Sequence, residues 1–346
     1  MRVRVTGASI ANGRSYNGGV NASELGEFGL IERLASVVGA EAPTDLIVGI
    51  GDDAAAWRVG DQVLLATTDT LVDGVHFLQE FAPWADVGWK ALAVNISDIA
   101  AMGGEPLFAL VTLALPAETP VAVVDDLYAG LSECAHEYGV TIAGGDIVRA
   151  PQVSLTIALM GQAQMRAGEP LLMRRDGARP GDFIAVTGVL GESAAGLQCL
   201  KEGAQRSDPL VMAHLRPRPP LTTGQEAARL EFKCAIDISD GLRQDLGHVC
   251  RASDVGARIR GADIPVSHEV RRREHLNALR LACSGGEDYQ LVLVGPPAKM
   301  RALEAARVPV KVIGKMFKGK PAVSFGSGPP PEVSLNASGW DHLHSG

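Results

Sequence analysis

Apolar positions are spaced in two ways along this chain, and each change of spacing marks an element. In "SELGEFGLIERLASVVG" Phe28, Ile31, Leu34 and Val38 share one helical face, and Ser23 with Glu27 is placed to start the helix. Short apolar runs at Leu46–Ile50 and Val63–Thr67 predict strands. From Asp86 to Gly103 the spacing is helical again, with Gly103–Gly104 as the stop. "LFALVTLAL" predicts a buried strand, Val121 to Tyr138 a helix, and "VTIAGG" and "VSLTIALMGQA" two further strands. This β-β-α-β-α-β-β order lacks the strict alternation of a doubly wound sheet and predicts an α+β fold.

The pattern breaks at "AGEPLLMRRDGARPGD", rich in Gly, Pro and Arg, where a domain boundary is expected. It resumes with the strand "FIAVTG" and the helix "ESAAGLQCLKEG". After the proline-rich Arg216 to Pro220 come another helix, the strand "CAIDIS" and the helix "DGLRQDLGHVCRASD". Short strands and the proline-rich "GSGPPPE" follow, and no internal repeat is visible. The expected organisation is a flexible polar extension over 1–22, an N-terminal α+β domain over 23–165 and a C-terminal α+β domain over 166–346.

Length supports that division, since 346 residues exceed the usual size of a single core. With 46% apolar but only 5% aromatic residues, the core must be built mostly of Ala, Val, Leu and Ile. The net charge of −8, with no basic block beyond "RRRE" at Arg271 to Glu274, argues against nucleic acid as a partner. An acidic chain can still hold polyphosphates where divalent cations bridge the two. The five cysteines (Cys134, Cys199, Cys234, Cys250, Cys283) form no C-x-x-C pair and read as buried small hydrophobes. No apolar run has the length of a membrane helix, and the first twenty residues lack the apolar core of a secretory signal. A cytoplasmic protein that binds no membrane is expected.

Candidate chemistry lies in the acidic residues. "GKMFKGKP", Gly314 to Pro321, imitates a P-loop but ends in Pro321, where Ser or Thr is needed. The protein-kinase motifs and a G-x-G-x-x-G fingerprint are absent. Asp52 and Asp53 stand side by side at the end of one predicted strand, and Asp69 ends the next. Asp98 puts a charge into an apolar helix. Asp146 follows Gly144–Gly145, and Asp237 and Asp240 bracket Ser239 at a strand-to-helix turn. Singly, each has an ordinary reading as turn former or helix cap, Asp240 above all. Jointly, carboxylates beside small residues suit hard cations such as Mg²⁺, which take oxygen ligands and substrate phosphates.

The segments "GIGDDAA", "TTDTLVDGVHF", "WKALAVNISDIAAMGGEP", "GVTIAGGD", "ARPGDFIAVTG", "IDISDGL" and "SGGEDYQL" occur in this order. From about Gly26 onward the chain resembles the thiamine-monophosphate kinase family, within the superfamily of aminoimidazole ribonucleotide synthetase and selenophosphate synthetase. The "DGVHF" run, "SGGEDY" and "GWDHL" point to the thiamine-phosphate branch. The resemblance implies a ferredoxin-like α+β N-terminal domain whose sheets pair across a homodimer, and a second α+β domain. It implies ATP-dependent phosphorylation of thiamine phosphate to thiamine diphosphate, with several Mg²⁺ ions. By motif, Asp53, Thr67, Thr68, Asp69, Asp98, Asp146, Asp237 and Asp240 correspond to metal ligands. Tyr128, Gly145, Asp146, Arg175 and Ser239 correspond to ATP contacts, and His76, Glu287 and Trp340 to thiamine-phosphate contacts. Tyr128 also reads as helix packing, Arg175 as a surface residue and His76 as a structural histidine. "GGDIVRA" lacks the threonine pair often found after the family's "GGD", and Trp57 stands close to the acidic turn.

The acceptor is a phosphate oxygen already ionised at pH 7, so this reading needs no protein nucleophile and no general base. Competing readings are another synthetase of the superfamily or a catalytically silent nucleotide-binding dimer. A selenophosphate synthetase would want a reactive Cys in a glycine-rich N-terminal segment, and the first here is Cys134. A hydrogenase-maturation relative would carry a terminal cysteine where this chain has "WDHLHSG".

Overall fold

The two periodicities resolve into two six-stranded sheets in the computed structural model of the chain, which describes residues 20–38, 43–273 and 275–326. Trp340 lies outside the described residues. The expected helix α1 (Ala22–Val38), bent at Gly26, where φ is +68°, belongs to a unit of its own. Both sheets belong to a second unit, within 42–340.

Its first half contains β1 (Leu46–Val48), β2 (Ala55–Val59), β3 (Gln62–Val72), α2 (Trp84–Ala101), β4 (Glu105–Leu115), α3 (Val121–Tyr138), β5 (Thr141–Arg149) and β6 (Ser154–Gln162). The sheet order is β1-β2-β3-β6-β4-β5. β6 runs antiparallel between β3 and β4, the split β-α-β arrangement expected of a ferredoxin-like sheet, and β5 is added parallel to β4. Along β3 and β6 alternate residues are buried, and the inward row Leu65, Leu71, Leu155, Ile157 and Leu159 packs beneath the helices.

Two sequence expectations are corrected here. β3 continues to Val72, so Asp69 lies inside a strand and not at its end. β5 likewise runs past Asp146. Gly144–Gly145 lies inside this strand, and a Cβ on Gly145 would stand 1.8 Å from the Val111 carbonyl oxygen. Glycine serves there to let two parallel strands approach closely.

A hairpin, β7 (Gln164–Arg166) with β8 (Glu169–Leu171), leads into the second half. There follow β9 (Phe183–Thr187), α4 (Glu192–Lys201), α5 (Pro209–Leu215), α6 (Leu221–Arg229), β10 (Cys234–Asp237), α7 (Leu242–Ser253), β11 (Gly256–Ile259), α8 (His268–Arg271), α9 (Ala278–Ser284), β12 (Leu291–Gly295), α10 (Pro297–Ala305), β13 (Val310–Phe317) and β14 (Val323–Phe325). The order is β10-β12-β9-β13-β11-β14. β10 and β12 are buried along their whole length because both faces of this sheet are covered. One face joins the core of the first half, and the other packs on α7. The P-loop-like Gly314–Pro321 is the end of β13 and a bend, with no helix after it.

Helix α2 is apolar nearly all round because the first sheet covers one side and α6, β10 and β12 the other. Its N-terminus is fastened to the second half. The Asp86 carboxylate, with no exposed side-chain surface, is bound by Arg206 at 2.6 Å and by Arg216. Trp89 Nε1 donates to the Pro217 carbonyl at 2.9 Å, beneath the guanidinium groups of Arg216 and Arg218. That fastening sets where the far end of α2, with Asp98, meets β10. All five cysteines are buried and unpaired.

Candidate active site

β3 directs Thr67 and Asp69 to the inner face, toward α2, and Thr67 Oγ1 donates to Asp98 Oδ2 at 2.5 Å. From the other half, β10 ends on Asp237, whose Oδ2 accepts from Ser97 Oγ at 2.8 Å. Asp53 enters from the turn between β1 and β2. One carboxylate oxygen each of Asp53, Asp98 and Asp237 lies within 4.8 Å of the other two. Asp53 Oδ2 is buried with no hydrogen-bond partner.

So dense a cluster of like charge resists ionisation. Burial pushes the Asp98 carboxyl well up, and Asp69, Asp237 and Asp53 add to the rise against the Thr67 bond. Asp237 is also pushed up by burial and by Asp53, while Ser97 and Arg175 oppose the shift. Asp52 is raised to about 7 by burial and by its neighbour Asp53. Arg175 supplies counter-charge: Nη2 binds Asp53 Oδ1 at 2.5 Å, and its backbone amide donates to Asp52 Oδ2 at 3.2 Å. An all-oxygen set with an orphaned carboxylate oxygen fits a hard divalent cation.

The turn from β10 into α7 brings Ser239 and Asp240 alongside. Gly241 holds the N-cap position of α7, and the Asp245 carboxylate accepts the amides of Asp240 and Gly241 at 3.1 and 3.0 Å. The Asp240 carboxylate accepts from Gln244 at 3.0 Å, and ligand atoms of Asp240, Asp245 and His248 lie within 4.8 Å of one another.

Against this turn lies the "SGGEDY" loop. The amides of Glu287 and Tyr289 donate to the carbonyls of Ser239 and Ile238 at 2.6 and 2.9 Å. Both residues hold left-handed backbone, with φ of 58° and 48°, unusual for side chains of this size. Glu287 Oε1 is 2.7 Å from Lys90 Nζ. Burial works against the Glu287 charge, but Lys90, then His214 and His76, hold its carboxyl below the usual glutamate value. His76 Nδ1 accepts from the Val72 amide at 3.0 Å. His76, from the first half of the unit, is thus close enough to act on the Glu287 charge.

The structure thus brings together Asp53, Thr67, Asp69, Asp98, Arg175, Asp237, Ser239 and Asp240, with Glu287 and His76 beside them. Thr68 and Asp146 point the other way. Strand pairing puts Thr68, Ala158, Leu110 and Gly144 in one row, and Thr112 with Asp146 in the next, on the outer face of the first sheet. β5 is also three strand spacings, about 14 Å, from β3. Tyr128 lies on α3, packed against the core. Sequence reasoning missed Lys90, Ser97, His214, Asp245 and Tyr289. Lys90 carried the same signal as Asp98, a charge inside an apolar helix; the others carried none.

Residues 51–163 match the AIR synthase related protein, N-terminal domain, and residues 179–325 its C-terminal domain. The chain is 41% identical to thiamine-monophosphate kinase of Escherichia coli strain K12 over 329 residues, spanning 92% of this chain and 98% of that protein. It is 33% identical to thiamine-monophosphate kinase of Aquifex aeolicus, over 92% of this chain and 99% of that one. The solved structure of AaThiL complexed with AMPPCP and TMP superposes with a TM-score of 0.82 at 32% identity, covering 94% of this chain and 99% of that chain. The chain belongs to the thiamine-monophosphate kinase family.

Proposed function

We propose that the chain transfers the γ-phosphoryl group of ATP to thiamine phosphate, giving thiamine diphosphate and ADP. The observation that carries this reading is the meeting of Asp53, Asp98 and Asp237 around an orphaned carboxylate oxygen. Donor and acceptor are both anionic phosphates, so their repulsion is the main barrier to a reactive encounter. Asp53, Thr67, Asp69, Asp98, Asp237 and Asp240 would hold Mg²⁺. When bound, those ions supply charge neutralisation and alignment of the phosphate oxygens. Arg175, Ser239 and Gly145 are assigned to ATP. Glu287 and His76 are assigned to the acceptor's heterocyclic end, and Trp340, outside the described residues, to the same task. The acceptor oxygen is already ionised, so no side chain removes a proton.

Tyr128, Thr68 and Asp146 stand apart from this cluster, and their roles as ATP and metal contacts go with a homodimer. The outer face of the first sheet exposes Phe108, Leu110 and Val148, with Thr68 and Asp146 on that same face. A second copy seated there would cover the apolar side chains and reach both polar ones. Residues 23–165 are assigned to ATP and metal binding, and 166–346 to completion of the acceptor site, in keeping with the two sheets. Among the described residues no helix is long and apolar enough to cross a membrane, and a cytoplasmic location is proposed.

The test is ADP release measured side by side with thiamine phosphate, thiamine and aminoimidazole-pathway substrates. Mg²⁺-dependent release with thiamine phosphate alone is expected. ATP binding without turnover on any of them would instead identify a silent nucleotide-binding protein.

A further inference from the structure

Lys90 lies within α2 with its side chain 5% exposed, and its ammonium meets Glu287 Oε1 at 2.7 Å. A buried ammonium needs a counter-charge, and ion pairing here joins the middle of α2 to a loop almost two hundred residues further on. The other oxygen of the same carboxylate, Oε2, is 3.5 Å from His214 Nδ1 on α5. That ring nitrogen is in turn 3.0 Å from Ser193 Oγ on α4. The next residue, Asp288, turns the opposite way and accepts the amides of Gly191 and Ser193 at the start of α4, at 2.7 and 3.3 Å. Glu287 is thus gripped from α2 and α5, and its neighbour from α4, while the backbone at Glu287 and Tyr289 is held in its left-handed form. The Glu287 side chain remains 30% exposed, so the residue is not sealed into the core.

We propose that Lys90, backed by His214, is a positioning residue that aims the Glu287 carboxylate at the cationic, amino-bearing heterocycle of the phosphorylated acceptor. This rests on the assignment of Glu287 to the acceptor. The groups facing Glu287 are Lys90 from α2, His214 from α5, His76 from the segment after β3, and Asp288 and Tyr289 of its own loop. Lys201 of α4 also acts on His214. Burial, and then Lys90, push His214 down to about 3, so its ring is neutral at pH 7. Lys90 therefore supplies the charge that keeps the half-enclosed carboxylate ionised. Without it, burial raises the Glu287 carboxyl toward neutrality, and the fraction able to meet a cation falls as the pH is lowered.

Steady-state ADP release by E287Q, K90M, K90Q, K90R and the double variant K90M/E287Q, between pH 6 and pH 8.5, tests the proposal. E287Q is expected to raise the KM for thiamine phosphate about tenfold, the size of one lost charge-assisted hydrogen bond, and to leave the KM for ATP within about twofold. K90M and K90Q should show the same split, and their KM ratio to the unsubstituted protein should widen as the pH falls. That widening is absent from E287Q, which has no carboxyl to titrate, and K90R should recover most of the loss. The double variant should be no worse than E287Q. If E287Q raises the KM for thiamine phosphate and K90M does not, the proposal falls and the assignment of Glu287 stands. If E287Q leaves that KM unchanged, the assignment itself falls. A K90M effect that is equal on both substrates and flat with pH marks a structural ion pair and overturns the proposal, as does failure of both K90M and K90Q to fold.

Discussion

Replacing Asp98 by Asn removes one charge from between Asp53, Asp69 and Asp237 while keeping the shape of the side chain and an acceptor for Thr67. Two unit charges at the 4.8 Å limit of this cluster repel by roughly 3.5 kcal/mol at an effective dielectric constant of about 20. Without cations, therefore, the native carboxylate is a burden. Its pKa in the folded protein is raised, so its contribution to stability is full below the unfolded value of 3.8 and is lost as the pH rises through the folded value. At pH 8 without Mg²⁺, D98N should melt a few degrees higher than the unsubstituted protein, and the difference should shrink toward pH 5. Mg²⁺ reverses the order. A ligand at a hundred times its Kd stabilises by about 2.7 kcal/mol, a gain the unsubstituted protein should show and D98N should largely lack. Turnover should fall on the order of a thousandfold, since about 4 kcal/mol of transition-state stabilisation depends on this charge. Thermal melts with and without MgCl₂, and ADP release across a Mg²⁺ titration, read both effects. A D98N protein with an unchanged Mg²⁺ response and near-normal turnover at low Mg²⁺ would refute the assignment of this cluster to cations.

Three other substitutions probe the frame around the site. D86N leaves Arg216 and Arg206 without their shared buried counter-ion and should cost about 2–3 kcal/mol in urea unfolding, discounted for the half-exposed Arg206; a cost below about 0.5 kcal/mol would show that the pair does not fasten α2. Burial raises Asp288 from 3.8 to about 7, so its contribution is present at acid pH and lost as the pH climbs through neutrality, by roughly 4 kcal/mol at most. D288N should show a shallower decline in urea midpoint between pH 5 and pH 9, and a parallel curve would contradict that source. G145A would bring a methyl group to 1.8 Å from the Val111 carbonyl and should force β5 away from β4, seen as faster amide exchange along Thr141–Arg149; unchanged exchange would mean that the strands yield without separating.

Sequence by itself determined whatever depends on near neighbours. The helix carrying Asp98 and the strand-to-helix turn at Ser239 are written in periodicity and in Gly placement, which act within a few residues. The ordered acidic segments also carried the family resemblance, and with it a list of residues. What the list could not contain was which of them meet. Thr67 and Thr68 are adjacent in sequence, yet one faces Asp98 and the other the outer surface, because the parity of a strand is settled by its pairing partners. α7 starts at Leu242 after Gly241 at φ +116°, and Asp245 from its first turn reaches back to the amides of Asp240 and Gly241. Ser97 with Asp237 and Lys90 with Glu287 are pairs 140 and almost two hundred residues apart. Only the packing of α2 between the first sheet and β10 brings them within a hydrogen bond. Local propensity has no reach over such separations. The charge of Asp98 and Lys90 inside an apolar helix announced that partners were needed, and the tertiary structure alone decided which ones.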